Sequence, residues 1–109
     1  MSAVSATRRL VAVAPAAELP PGTAVRLVAD GCAIAVLHHR DGLHAVDAAC
    51  THAAGPLVEG TLTGGCQLVC PWHAAVFDAR TGEVLRGPAR KRLRTYHVFV
   101  RDGTVYIEL

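Results

Sequence analysis

The sequence predicts an antiparallel all-β domain, and three observations carry that expectation. Two Asp-Gly dipeptides, Asp41-Gly42 and Asp102-Gly103, each sit between segments rich in strand formers, the pattern of a two-residue hairpin. In the last of these hairpins Tyr96, Val98 and Val100 alternate with His97 and Phe99, the two-residue period of a strand. No long helical period competes with these signals, and Gly and Pro interrupt the chain often.

The elements follow in order. Residues 1–8 read as a polar, frayed start. Arg9 to Ala14 alternates weakly and is a candidate first strand. The Pro- and Gly-containing stretch Pro15 to Gly22 reads as a turn, because two adjacent prolines cannot join a ladder. Ala24 to Ala29 is the next strand. Cys32 to His39 and Leu43 to Val46 form the first hairpin, with a type I′ turn expected at Asp41-Gly42. Short strands are expected at Gln67 to Val69 and Val76 to Phe77. Thr81-Gly82 and Gly87-Pro88-Ala89 read as tight corners. Tyr96 to Val100 and Thr104 to Leu109 close the chain.

Composition narrows the class. A length of 109 residues fits one domain spanning 1–109. With only two Phe, two Tyr and one Trp, small and β-branched side chains must fill the interior. A net charge of +2 is too small to point to nucleic acid. No run of 18 apolar residues is present to span a membrane as a helix. The segment from Thr7 to Ala14 echoes a twin-arginine export signal, but its apolar stretch is short and runs into the Pro-rich turn. A cytoplasmic protein is therefore expected. In a reducing compartment, Cys beside His points to metal more than to disulfides.

Two short stretches concentrate that chemistry. Cys50-Thr51-His52 and Cys70-Pro71-Trp72-His73 each supply one thiol and one imidazole, with residues 53–69 between them. They lie in a Gly- and Pro-rich region, about 48–93, too long for a structureless loop unless something ties it down. Two Cys and two His suit tetrahedral zinc. They also suit a [2Fe–2S] cluster with two thiolates on one iron and two imidazoles on the other. Zinc fingers pair Cys with Cys and His with His, whereas each stretch here is mixed, so the order favours iron and sulfur. A neutral imidazole donates less negative charge than a thiolate, so such a cluster is more easily reduced than an all-thiolate one.

These two stretches resemble the paired boxes of the Rieske family. So do their flanks, from Ala53 to Gly60 and from Phe77 to Glu83, and the likeness runs from about Glu18 to the end of the chain. The resemblance implies the Rieske fold, stacked antiparallel sheets with a small cluster-binding subdomain of two loops. It implies one [2Fe–2S] cluster per chain, with Cys50, His52, Cys70 and His73 as ligands, the imidazoles binding through the ring nitrogen nearer the backbone. Gly87-Pro88-Ala89 matches the family's proline loop over the cluster. High-potential respiratory members carry an extra Cys in each box and hydroxyls near the cluster. Here Gly55, Trp72, Ala75 and Phe77 stand at those positions, so the resemblance implies the low-potential, dioxygenase-ferredoxin-like branch. One departure is Ala74, where the family usually has Gly.

Other residues receive milder readings. Cys32 and Cys66 read as buried or half-buried thiols. His38, His39, His44 and His97 read as strand residues facing solvent or packing at edges. Trp72 reads as a shield for the cluster, with core filling as its rival. Arg86, Arg90, Lys91, Arg92 and Arg94 form a basic segment, either a solvated face or a docking patch for an acidic partner.

No nucleophile–base pair or substrate pocket is legible, so the expectation is an electron carrier rather than a stand-alone enzyme. The resemblance implies a monomeric ferredoxin taking one electron from a flavin-dependent reductase to a terminal, ring-hydroxylating or related oxygenase. The alternative is the small Rieske subunit of a larger reductase such as nitrite reductase.

Overall fold

The structure, a computed structural model, describes residues 9–50, 56–72, 74–87 and 91–109. Among the described residues the strands are β1 Leu10–Pro15, β2 Ala24–Ala29, β3 Cys32–His39, β4 Gly42–Asp47, β5 Thr61–Leu62, β6 Gln67–Val69, β7 Val76–Asp78, β8 Val84–Arg86, β9 Thr95–Arg101 and β10 Thr104–Glu108. Short 3-10 turns lie at Ala16–Glu18 and Leu57–Glu59. A six-stranded sheet has the order β1-β10-β9-β4-β3-β2, and a four-stranded sheet the order β5-β6-β7-β8. Every strand pairing is antiparallel. The edge strands β1 and β2 curl toward each other. An Arg9–Asp30 ion pair of 2.5 Å bridges that gap.

Burial explains why β3 is a nearly unbroken apolar run. Ile34 and Val36 face a core inside the six-stranded sheet, with Leu19, Ala45, Val105 and Ile107. Ala35 and Leu37 face the opposite core, with Val46, Leu57, Leu68, Phe77 and Leu93. A strand buried on both faces loses the polar alternation of a surface strand. Phe77 is fully buried in the second core, where an aromatic of its size contributes about 1.5–3 kcal/mol. That core fastens the four-stranded sheet to the six-stranded one.

The turns correct one expectation. Asp102 and Gly103 have φ of 51° and 77°, both positive as a type I′ turn requires. Asp30 and Gly31, at 53° and 86°, form the same turn between β2 and β3. Asp41-Gly42 does not. His39 pairs with Gly42, so the loop is Arg40-Asp41, and Asp41 stays out of the left-handed region. Its carboxylate is engaged elsewhere, by His44 at 2.8 Å and by Arg80 at 2.5 Å.

Two further joints set where residues 48–93 sit on the six-stranded sheet. At the neck, the Asp47 amide donates to the Arg94 carbonyl at 3.0 Å, and the Arg94 amide donates to the Asp47 carboxylate at 3.1 Å. The Tyr96 hydroxyl donates to the same carboxylate at 2.7 Å. Burial and the Asp47 acceptor push that hydroxyl up to about 12, so it remains a donor at physiological pH. At the far end, the β7–β8 turn is fixed by Gly82. Its amide donates to Asp78 O at 2.7 Å and its carbonyl accepts from Leu93 N at 2.8 Å.

Gly82 has φ +81°, and a Cβ there would lie 2.1 Å from the Leu93 carbonyl oxygen. Gly103 has φ +77° but open space around its Cβ position. Left-handed strain alone costs about 1–2 kcal/mol, and forced displacement of neighbours adds about 1–3. Gly82→Ala is therefore expected to destabilise by about 2–4 kcal/mol and Gly103→Ala by about 1–2. Urea unfolding midpoints of the two variants check the order.

Candidate metal centre

The centre is built from two loops. The first leaves β4 through Ala48, Ala49 and Cys50 and returns at Pro56. An Ala49–Pro56 bridge and a Leu57 N–H to Ala48 O bond of 3.1 Å close its base. The second is the connection between β6 and β7, closed by a Cys70 N–H to Ala75 O bond of 2.7 Å. The loops pack directly on each other at Gly60, where a Cβ would meet Val69 O at 1.9 Å and the Pro71 ring at 3.2 Å. Only glycine lets the returning first loop come this close to the second.

The result is two thiols side by side. Cys50 and Cys70 are 2% and 1% exposed, and neither forms a disulfide. Burial pushes the Cys70 thiol up, and its hydrogen-bonded neighbour Cys50 pushes the same way. The Trp72 amide opposes both by donating to Cys70 Sγ at 3.4 Å. A backbone N–H aimed at the sulfur is suited to a thiolate. Two buried, adjacent sulfurs delivered by separate loops suit the two-thiolate side of a [2Fe–2S] centre. His52 and His73, the expected imidazole partners, lie outside the described residues, as do Gly55, Pro88, Ala89 and Arg90.

The surroundings are apolar where hydroxyls were noted as missing. Ala75 and Phe77 are both fully buried. Trp72 is 48% exposed, so it does not fill the core, and Leu85 is equally exposed on β8. Gly87, Lys91, Arg92 and Arg94 are exposed. The Arg92 guanidinium donates to Thr81 O at 2.8 Å.

Several milder readings change. Cys32 is exposed, because it opens β3 just after the Asp30-Gly31 turn, while Cys66 is buried as expected. The histidines of β3 and β4 do not face solvent. His38 Nδ1 donates to Leu19 O at 2.6 Å, His39 is buried with Nε2 2.8 Å from Gly64 O, and His44 bonds Asp41. Each ring is drawn inward by a fixed oxygen. Asp41 is the residue the sequence did not reveal as a hub: His44 and Arg80 hold its carboxyl well below the usual carboxylate range. His97 is exposed, as expected, and lies 5.4 Å from the Phe99 ring.

The chain belongs to the Rieske [2Fe–2S] domain family, whose model matches residues 9–97. Its cofactor is accordingly a Rieske-type [2Fe–2S] cluster. It is 42% identical over 90 residues to the 3-phenylpropionate/cinnamic acid dioxygenase ferredoxin subunit of Photorhabdus laumondii, covering 83% of this chain and 85% of that one. Among solved structures it is similar to the ferredoxin of carbazole 1,9a-dioxygenase from Nocardioides aromaticivorans, with 29% identity, a TM-score of 0.85, and 90% and 95% of the two chains covered. A complex of reduced oxygenase and oxidized ferredoxin in carbazole 1,9a-dioxygenase matches at 33% identity and a TM-score of 0.82, with 90% and 91% covered. A nitrite reductase small subunit from Mycobacterium tuberculosis shares 21% identity at a TM-score of 0.83, with 94% and 96% covered, a likeness of fold alone.

Ala74 carries φ 58°, in the region that favours glycine. Ala74→Gly is expected to stabilise the protein by about 1 kcal/mol, seen as a raised urea midpoint with the visible spectrum of the cluster retained.

Proposed function

We propose that the chain is a one-electron carrier, with Cys50 and Cys70 on one iron and His52 and His73 on the other. The observation that supports this most directly is the pair of buried, adjoining thiols, in no disulfide, within a domain of the matched family. When bound, the cluster supplies a reversible one-electron acceptor. The two loops hold the sulfur side away from water, and the Trp72 amide compensates charge on Cys70 Sγ. The relatives, a dioxygenase ferredoxin subunit and a ferredoxin in complex with its oxygenase, support delivery of the electron to a terminal oxygenase; a flavin-dependent reductase as its source and a place in the cytoplasm complete this reading. The reductase-subunit alternative has only a likeness of fold behind it.

Arg86 pairs with Val76 across β7 and β8, next to the second loop. Exposed Leu85 precedes it in β8, exposed Trp72 lies in the second loop, and Lys91, Arg92 and Arg94 are exposed further along the chain. The Arg86 cation and the exposed Trp72 near the sulfur loop fit a transient docking face for an acidic partner surface, whereas Arg92 and Arg94 sit at the β7–β8 turn and the neck.

Hydrogen bonds to cluster sulfur stabilise the added electron, and Ala75 and Phe77 carry no hydroxyl to make them. The potential is therefore expected near the low end of the roughly −150 to +300 mV range of such centres. Voltammetry returning a clearly positive value contradicts this reading. Electron transfer to an isolated dioxygenase of the matched type should slow as salt rises from about 0.02 to 0.3 M, because steering between exposed charges is screened. Stopped-flow rates indifferent to ionic strength remove the docking face and leave the carrier intact.

A further inference from the structure

The geometry points to a second metal site, for a single zinc-class divalent ion, formed by His39, Asp41 and Cys66 at the opposite end of the four-stranded sheet. The three come from the end of β3, the β3–β4 turn and the β5–β6 turn, and their ligand atoms all lie within 4.8 Å of one another. His39 and Cys66 are buried. An imidazole, a carboxylate and a thiolate are the three donor types that zinc takes.

The hydrogen-bond network supplies the second reason. A carbonyl oxygen only accepts, so the 2.8 Å contact with Gly64 O places the ring proton of His39 on Nε2. The Asp41 amide donates to Nδ1 at 3.4 Å, so Nδ1 carries no proton, and an ion at this nitrogen would displace that long amide contact. Asp41 Oδ1 lies 3.1 Å from that same nitrogen, and the carboxyl is ionised because its partners hold it far below its ordinary range. An ion between Oδ1 and Nδ1 would take over the Nδ1 lone pair from the long amide contact and relieve the close approach of the two atoms. The Gly64 carbonyl plays the part of the outer oxygen that fixes the tautomer of a metal-bound imidazole.

The remaining groups are compatible with an ion. Arg80 donates from Nε to the other carboxylate oxygen, Oδ2, and from a terminal nitrogen to Gly65 O at 3.3 Å. It therefore orients Asp41 and leaves Oδ1 facing inward, although its charge weakens the site. His44 Nε2 shares Oδ1 at 2.8 Å, which a carboxylate oxygen with two lone pairs allows. Zinc holds nitrogen and sulfur at about 2.0 and 2.3 Å, so the donors must close by roughly an ångström, a side-chain movement. Water fills the fourth position, reached from a surface cleft lined by His39, Arg40, Leu62 and Gly64. Binding releases one proton from the Cys66 thiol to solvent.

The test uses the cluster-loaded protein, freed of loose divalent ions by a mild chelator, and Co2+ as the probe. The expected result is one Co2+ per chain, with a thiolate-to-cobalt charge-transfer band and tetrahedral visible bands in difference spectra, while the cluster bands stay unchanged. Cys66→Ser should abolish the charge-transfer band, His39→Gln should weaken binding by about tenfold or more, and Cys32→Ser should change neither. Should Cys66→Ser fail to fold, Asp41→Asn should lower Co2+ affinity with the charge-transfer band kept. No Co2+ uptake, a band lost in Cys32→Ser instead, or bleaching of the cluster in step with cobalt binding overturns the site. In that case a proton on His39 Nδ1 fills the gap.

Discussion

The structure depends on bringing two sulfurs, 20 positions apart in number, to one buried spot. Neither loop can do this from its own turn chemistry. Each is closed at its base by backbone bonds, Ala48–Leu57 and Cys70–Ala75, and the two then meet only because Gly60 has no side chain. A thiol pair held this way loses little conformational freedom when it takes up metal, because folding has already ordered it.

The same logic accounts for the rest of the chain. The four-stranded sheet is too small to stand alone, since short strands of two or three residues bury little area. It borrows a core from β3 and β4, whose outward faces supply Ala35, Leu37 and Val46. Polar joints then fix its angle. Asp47, Arg94 and Tyr96 staple the neck where the chain leaves and re-enters the larger sheet. Asp41, Arg80, His39 and Arg40 tie the far end to the β5–β6 turn. Apolar contact attaches the sheet and directional bonds choose its orientation, which hydrophobic packing alone does not specify.

Much of this was legible in the sequence. The strands from Ala24 to Val46 and from Tyr96 onward follow their β-branched runs and alternation closely. The expected thiols Cys50 and Cys70 meet, and the unusual Ala74 does take positive φ. What escaped notice depends on partners far away in the chain. Thr61–Leu62 and Val84–Arg86 are too short to show a period and exist because β6 and β7 offer them edges. Asp41-Gly42 looked like the other Asp-Gly turns, but Arg80, 39 residues on, captures its carboxylate. Asp30-Gly31 carried the same signal and does form the turn. The dipeptide states a local preference, and tertiary bonds decide whether it is used.

Backbone strain marks the same boundaries. Apart from the two Asp-Gly turns, the non-glycine residues with positive φ among those described are Cys66 and Ala74, one just before β6 and one just before β7. Neither has the short polar side chain that eases this conformation. Each is held by its neighbours: Cys66 donates to Thr63 O and accepts from Ala79 N, and Ala74 lies inside the Cys70–Ala75 closure. Strain of about 1–2 kcal/mol per residue persists only where surrounding bonds over-determine the backbone. It falls at the two ends of one hairpin, beside the thiol pair at one end and within the His39–Asp41–Cys66 group at the other, where the closing backbone bonds set φ whatever the residue type.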